Sequence, residues 1–311
     1  MPESNQNGSA RTVPTGAAAN GDDSDVVLDV RGLDVRYRTV RGDVTAVDGV
    51  DLRVNRGEIL GIAGESGCGK STLATTVLGL LRPPGFRANG TADFHQADGA
   101  VTDILGADET ALRRLRWRHL SYLPQGSMNS LNPVMRIRDQ FIDVMLQHGW
   151  TPDGVADQDA ARRQSRRARE LQARDQVIEL LTEVGLDSSV AEMYPHELSG
   201  GMKQRVIIAM SVALRPELLI ADEPTTALDV MIQRVVIQNL AELRDRLGVT
   251  MVVITHDMGV HAQLVDRVAV MNKGEIVEVG STEQVFKRPA DPYTQDLINS
   301  IPDLTVRQEV Q

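Results

Sequence analysis

Nine consecutive residues, Gly64-Glu65-Ser66-Gly67-Cys68-Gly69-Lys70-Ser71-Thr72, carry the chemistry most directly legible in this chain. They fit G-x-x-x-x-G-K-[ST] at every fixed position, a pattern built to hold phosphates. Its glycines let the backbone curl so that successive N–H groups converge on one anion. A helix beginning at Ser71 adds the partial positive charge of its N-terminus. Lys70 is expected to reach the β- and γ-phosphates of a nucleotide, and the Ser71 hydroxyl to bind Mg2+. Cys68 stands at a variable position of the loop and is assigned no catalytic role.

Four further stretches end in residues suited to the same chemistry. Leu218-Leu219-Ile220-Ala221 is an apolar run closing on Asp222 and Glu223, the pattern of a buried parallel strand. Ligands in open α/β sheets gather at strand carboxyl ends. Asp222 is therefore placed to bind Mg2+ and Glu223 to polarise an attacking water. Leu120 to Leu123 leads into Gln125, whose amide oxygen can bind Mg2+ and orient water. Thr250 to Ile254 leads into His256, which can hydrogen-bond a γ-phosphate and sense its loss. Leu198-Ser199-Gly200-Gly201-Met202 opens a helix and forms a second anion-binding device. One nucleotide does not need two cradles from one chain. Either the second serves a nucleotide held by another subunit, in a head-to-tail dimer, or it is a helix cap.

These residues need elements to position them. Glu58 to Ala63 reads as the strand feeding the phosphate loop. A helical pattern over Ser71 to Leu81 follows, stopped by Arg82-Pro83-Pro84-Gly85. Upstream, Val26 to Val30, Leu33 to Tyr37 and Thr45 to Val54 are strand-like, with a turn at Arg41-Gly42-Asp43. Tyr37 there either stacks on a nucleotide base or packs a strand edge. Helical patterns at Ile137 to His148 and Ala160 to Val184 form an insertion, the second crowded with arginines that read either as a solvated face or as a contact with a partner or anionic lipid. A helix follows the Ser199-Gly200-Gly201 turn over Lys203 to Leu214, and a long one runs from Asp229 to Leu247. Arg267 to Met271 and Glu275 to Val279 form a last hairpin around Asn272-Lys273-Gly274. Met1 to about Asp25 has the composition of a disordered tail.

Composition excludes several classes. Across 311 residues, 41% are apolar and 24% charged, as in a soluble globular protein. No apolar run is long enough to span a bilayer and the N-terminus has no signal-peptide pattern, which points to a cytosolic protein. A single cysteine excludes an intramolecular disulfide and any cysteine-rich metal site. The net charge of −10 argues against general nucleic-acid binding.

Taken together, the motifs resemble the ATP-binding subunit of an ABC transporter. Tyr37 matches the A-loop aromatic, Gly64 to Thr72 the Walker A loop and Gln125 the Q-loop. Leu198 to Met202 matches the signature, Asp222 and Glu223 the Walker B end, Ala227-Leu228-Asp229 the D-loop and His256 the switch. Asn129-Ser130-Leu131-Asn132-Pro133, Tyr194-Pro195-His196-Glu197-Leu198-Ser199-Gly200-Gly201-Met202 and Ala221-Asp222-Glu223-Pro224-Thr225-Thr226-Ala227-Leu228-Asp229-Val230 are similar to the dipeptide/oligopeptide importers. Asp291-Pro292-Tyr293-Thr294 is like their His-Pro-Tyr-Thr, with Asp291 in place of His.

The resemblance implies an α/β P-loop fold of the ABC type. Its core sheet is mostly parallel, with an N-terminal antiparallel β subdomain and a helical signature subdomain at about 126–215. A tail over 1–25, an ATPase domain over 26–286 and an extension over 287–311 are the implied divisions. ATP and Mg2+ are the implied ligands, with Ser199, Gly200, Gly201 and Asp229 reaching the nucleotide of a second ATPase subunit. The implied partners are two permeases and, indirectly, an extracytoplasmic solute-binding protein, with the chain peripheral on the cytoplasmic membrane face. Peptides are the implied solute. Oligosaccharides or nickel are the alternatives within the same role, and a soluble ABC ATPase of translation or repair the alternative outside it.

Overall fold

Short apolar runs assemble side by side here because each can be buried on both faces. The computed structural model describes residues 25–151, 154–155, 166–226 and 228–300. Its six-stranded sheet is built from β3 (Ile59–Ala63), β6 (Leu120–Leu123), β9 (Leu218–Asp222), β10 (Thr250–Ile254), β11 (Arg267–Asn272) and β12 (Glu275–Ser281). The order is β12-β11-β3-β10-β9-β6, parallel except for β12, which pairs antiparallel with β11. Alternate side chains enter opposite cores. Ile59, Leu219, Ala221, Met251 and Val253 face a helical layer. Leu60, Ile62, Leu218, Ile220, Val252 and Ile254 face the phosphate-loop helix and a second sheet. Burial on both faces is why these strands read as continuous apolar runs rather than alternating ones.

The second sheet is antiparallel, in the order β2-β1-β4-β5, from β1 (Val26–Thr39), β2 (Gly42–Asn55), β4 (Gly85–His95) and β5 (Val101–Asp103). A small ladder of β7 (Trp150–Thr151) and β8 (Gly154–Val155) interrupts the helical insertion. The two strand-like stretches expected at Val26 to Val30 and Leu33 to Tyr37 are one strand. Register shifts at Val30/Leu33 let it bend without ending. The phosphate-loop helix is shorter than its periodicity suggests, spanning Lys70–Val77. Gly79 N–H donates to the Thr76 carbonyl and Leu80 N–H to that of Thr75, closing the helix before the prolines are reached. The signature helix, in contrast, starts earlier, at Gly200, because Ser199 caps it. The last hairpin turns at Lys273-Gly274, both at positive φ. Residues 1–24 of the expected tail, the start of the arginine-rich helix (160–165) and residues 301–311 lie outside the described residues, as does Ala227. Within the helix Arg166–Glu183, Arg167 and Arg174 are exposed and Arg169 is half-buried.

The two sheets are riveted by one carboxylate. Glu217, just before β9, accepts from Arg56 Nη1 at 2.7 Å, from Ala97 N–H at 2.7 Å and meets His119 Nδ1 at 2.8 Å. Arg56 also donates to the His95 carbonyl at the end of β4. Burial alone would raise the Glu217 pKa, but the bonds from His119 and Arg56 hold it below its ordinary value. A depressed carboxylate pKa contributes stability above the unfolded value, and that contribution disappears as pH falls through the folded one. Glu217→Ala is expected to cost about 1–3 kcal/mol at pH 7, measured by denaturant unfolding. The gap from wild type should narrow as pH falls below the ordinary value of 4.5; an undiminished gap at low pH would remove the ionised carboxylate from this role.

Candidate nucleotide site

The strand order sets the site. β3, β10, β9 and β6 are adjacent and parallel, so the loops leaving their carboxyl ends emerge along one edge. Those strand ends and the loops after them carry, in that spatial order, the phosphate loop, His256, Asp222 with Glu223, and Gln125.

The phosphate loop is wedged rather than draped. Gly64 adopts φ 148° and Gly69 φ 113°. A Cβ on Gly64 would overlap the Met271 carbonyl oxygen of β11, and one on Gly69 the Ala46 carbonyl oxygen of β2. Only glycine meets both demands. Lys70 turns inward, 7% exposed, and its ammonium donates to the Gly64 and Glu65 carbonyls at 2.7 and 2.8 Å. Its Nζ is 3.7 Å from Cys68 Sγ, so Cys68 is a buried packing partner of the lysine. Ser66 and Gly67 form the tip, and Gly67 has open space around it. Tyr37 reaches this loop across the sheet seam, its hydroxyl 3.2 Å from Thr72 Oγ1.

Asp222 ends β9 and is 2% exposed. Burial raises its pKa, while the adjacent Ser71 hydroxyl and Tyr122 favour its charged form and Glu223 opposes it. Tyr122 donates to Oδ2 at 3.3 Å, and burial against this carboxylate pushes the phenol up as well. Oδ1 is buried with no hydrogen-bond partner among the described residues. A buried, orphaned carboxylate oxygen beside a serine hydroxyl and a lysine suits a hard cation shared with phosphate oxygens. Among the described residues there is no cluster of three or more His, Cys, Asp or Glu side chains able to hold a metal on its own. Mg2+ fits that pattern, since it binds through one or two protein groups plus substrate phosphates.

Glu223 sits at φ 53°, unusual for a residue with a side chain. Its N–H is fixed to the Ile254 carbonyl of β10 at 2.8 Å. Its carboxylate accepts from Thr226 Oγ1 at 2.7 Å and faces His256 Nδ1 at 2.8 Å. An ionised carboxylate can only accept, so Nδ1 carries the hydrogen and Nε2 is left outward on a ring 66% exposed. Gln125 lies two residues beyond β6 and is exposed.

The signature residues are set apart from this group, with no hydrogen bond or ion pair to the phosphate loop among the described residues. Ser199 caps its helix by accepting from Met202 N–H at 3.3 Å, while Gly200 begins it. A Cβ on Gly201 would run into Ile232, so the signature helix packs tightly on the helix Val230–Leu247, which Asp229 caps.

Three residues that build the site carry no motif signal. Gln204 of the signature helix donates to the Pro224 carbonyl at 2.6 Å, tying that helix to the turn after Glu223. Tyr122 belongs to a short strand of mainly apolar residues, and only the topology brings it to Asp222. His261, fully buried, places Nε2 3.1 Å from the Thr255 carbonyl, one residue before His256. Burial drives its pKa down to about 4, so the ring is neutral and Nε2–H donates. Its Nδ1 has no hydrogen-bond partner among the described residues and lies against Gly61 of β3, where a Cβ would overlap it. A lone histidine in a helical pattern gives no sign of this.

The chain matches the family model described as ABC transporter over residues 47–226, and the oligopeptide/dipeptide transporter C-terminal region over 277–311. It is 41% identical over 281 residues to a putative peptide import ATP-binding protein of Brucella ovis, covering 89% of this chain and 78% of the relative. It is 40% identical over 283 residues to the oligopeptide transport ATP-binding protein OppD of Salmonella typhimurium, covering 90% and 78%. Among solved structures, the dimeric bacterial ABC transporter cassette MJ0796 aligns with TM-score 0.66 at 25% identity, over 82% of this chain and 98% of that one. The same cassette bound to ADP and Pi aligns at 0.64. A phosphate loop, an acid pair and a histidine on adjacent parallel strands, a capped signature helix and these matches agree: the chain belongs to the ABC transporter ATPases, in their oligopeptide/dipeptide branch.

Proposed function

We propose that the chain is the ATP-hydrolysing subunit of an importer of dipeptides or oligopeptides, with Glu223 and His256 at its catalytic centre. The observation that carries this is the Glu223–His256 pair, held at the ends of β9 and β10 beside the β3 phosphate loop. The peptide-import names of the relatives support the solute class. Among the described residues no helix is long and apolar enough to cross a membrane. In this reading two permease subunits form the path for the solute. A second ATPase copy or homologue completes the motor, and a solute-binding protein delivers from outside.

ATP lies with its phosphates on the amides of Ser66 to Thr72 and its base near Tyr37. Lys70 exchanges its loop carbonyls for phosphate oxygens and neutralises their charge. Ser71, Asp222 and Gln125 would hold Mg2+, which supplies further neutralisation of the β- and γ-phosphates. Glu223 accepts hydrogen from the attacking water and so aims it at the γ-phosphorus. His256, oriented by its Nδ1–H bond to Glu223, offers its outward nitrogen to the γ-phosphate. The signature turn and Asp229 of the second subunit close over the same nucleotide, and opening follows hydrolysis. The helical region after Gln125 passes that motion to the permeases.

Two substitutions separate binding from chemistry. Lys70→Ala should weaken ATP binding about 10- to 100-fold in equilibrium titration, because charge-assisted bonds are lost; unaltered affinity would remove the phosphate loop from nucleotide binding. Glu223→Gln should keep ATP affinity, accumulate an ATP-bound dimer seen by size-exclusion chromatography, and hydrolyse about 10²- to 10⁴-fold more slowly in the assembled transporter. Wild-type turnover by that variant would exclude Glu223 as the base. Reconstituted vesicles with a panel of peptides, sugars and Ni2+ test the solute; uptake of sugars or Ni2+ without peptide uptake would overturn the peptide reading.

A further inference from the structure

Tyr293 lies 228 residues from Glu65 in sequence, yet its hydroxyl accepts a hydrogen bond from the Glu65 N–H at 3.2 Å. The seat that brings it there is specific. Glu278 of β12 is buried and accepts from the Ala290 and Asp291 N–H groups at 2.9 and 3.1 Å. Asp291 then caps the helix Pro292–Asn299, accepting from Tyr293 and Thr294 N–H at 2.8 and 3.4 Å, with Pro292 in the first turn. Asp is among the best N-caps, which gives the Asp-for-His departure at this position a physical reason. Thr294 is fully buried, and Tyr293, Leu297 and Ile298 pack on the larger core.

Glu65 is the second residue of the phosphate loop. Its neighbour Gly64 is jammed under the Met271 carbonyl. Its own carbonyl accepts from Lys70 Nζ and from Cys68 N–H. Its N–H is held by Tyr293. The start of the loop is thereby fixed on both sides of the Glu65 side chain, which itself is exposed. Amides further along, other than that of Cys68, are left to converge on an anion.

We infer that Tyr293 is a positioning residue for the phosphate loop, so that the C-terminal region characteristic of the oligopeptide/dipeptide branch straps the nucleotide cradle into its binding shape. This rests on the reading that Gly64 to Thr72 binds ATP. The strap makes nucleotide affinity depend on whether the Pro292–Asn299 helix is docked, and any partner that moves this helix alters the loop.

The test is Tyr293→Phe in the full chain, which removes one oxygen and keeps the packing. The ATP dissociation constant should rise about 2- to 10-fold, the range of one hydrogen bond. Amide hydrogen exchange at Glu65 should quicken in nucleotide-free protein, with the thermal midpoint unmoved. Glu65→Pro removes the donor, so Tyr293→Phe should add nothing in that background. Wild-type affinity and Glu65 exchange in Tyr293→Phe, or additive effects in the double variant, overturn the proposal. If Glu65→Pro fails to fold, the exchange rate at Glu65 in Tyr293→Phe decides alone. Lys70→Ala in the same series keeps the two readings apart. Loss of ATP there with no effect of Tyr293→Phe refutes only the strap, whereas wild-type binding by Lys70→Ala refutes the ATP site itself.

Discussion

The phosphate loop can exist only where two carbonyl groups from different sheets leave it just enough room. Met271 of β11 belongs to the parallel sheet and Ala46 of β2 to the antiparallel one, and both press on loop glycines that have no side chain to yield. The loop is therefore shaped by the relative placement of the two sheets as much as by its own sequence. That placement is held in turn by Glu217, Arg56 and His119 at the opposite ends of the strands. The buried lysine completes the arrangement by satisfying carbonyls that the curled loop turns inward.

Two neighbouring acids at the edge of this sheet sit in unequal environments. Asp222 belongs to the strand and is buried, its charge opposed by burial and favoured by Ser71 and Tyr122. Glu223 leaves the strand at positive φ, which swings its carboxylate to Thr226 and His256. Adjacent residues of a regular strand would face opposite sides. The backbone strain at Glu223 is what keeps both acids on one edge, and the bond from its N–H to Ile254 holds that strain in place.

Much of this was legible in the sequence because the relevant signals are local. The parallel strands are apolar runs followed by a polar group, and Gly64 to Thr72 is a contiguous motif whose spacing dictates its fold. The helix cap at Ser199 follows from side-chain chemistry within three residues. What escaped was set by backbone bonds that periodicity does not reveal or by side-chain contacts that only the folded chain makes. The phosphate-loop helix ends at Val77 because of local backbone bonds that its apolar periodicity does not reveal. Tyr122, Gln204 and His261 look ordinary along the chain, and Tyr293 stands in a family motif that gives no hint of its contact with Glu65. Each becomes part of the site only through partners 100, 20, 6 and 228 residues away, respectively.

The contact between Gly61 and His261 has a historical side. A ring nitrogen pressed against a glycine in a central strand means that neither position can drift alone. Enlarging residue 61 collides with the imidazole, and shrinking residue 261 opens a void under the strand and frees the Thr255 carbonyl. Change at this spot must pass through paired substitutions, so lineages that carry a larger residue at 61 should also have abandoned the histidine. The pair is a commitment beside the Thr255 carbonyl, one residue before His256, that sequence divergence elsewhere in the chain has to respect.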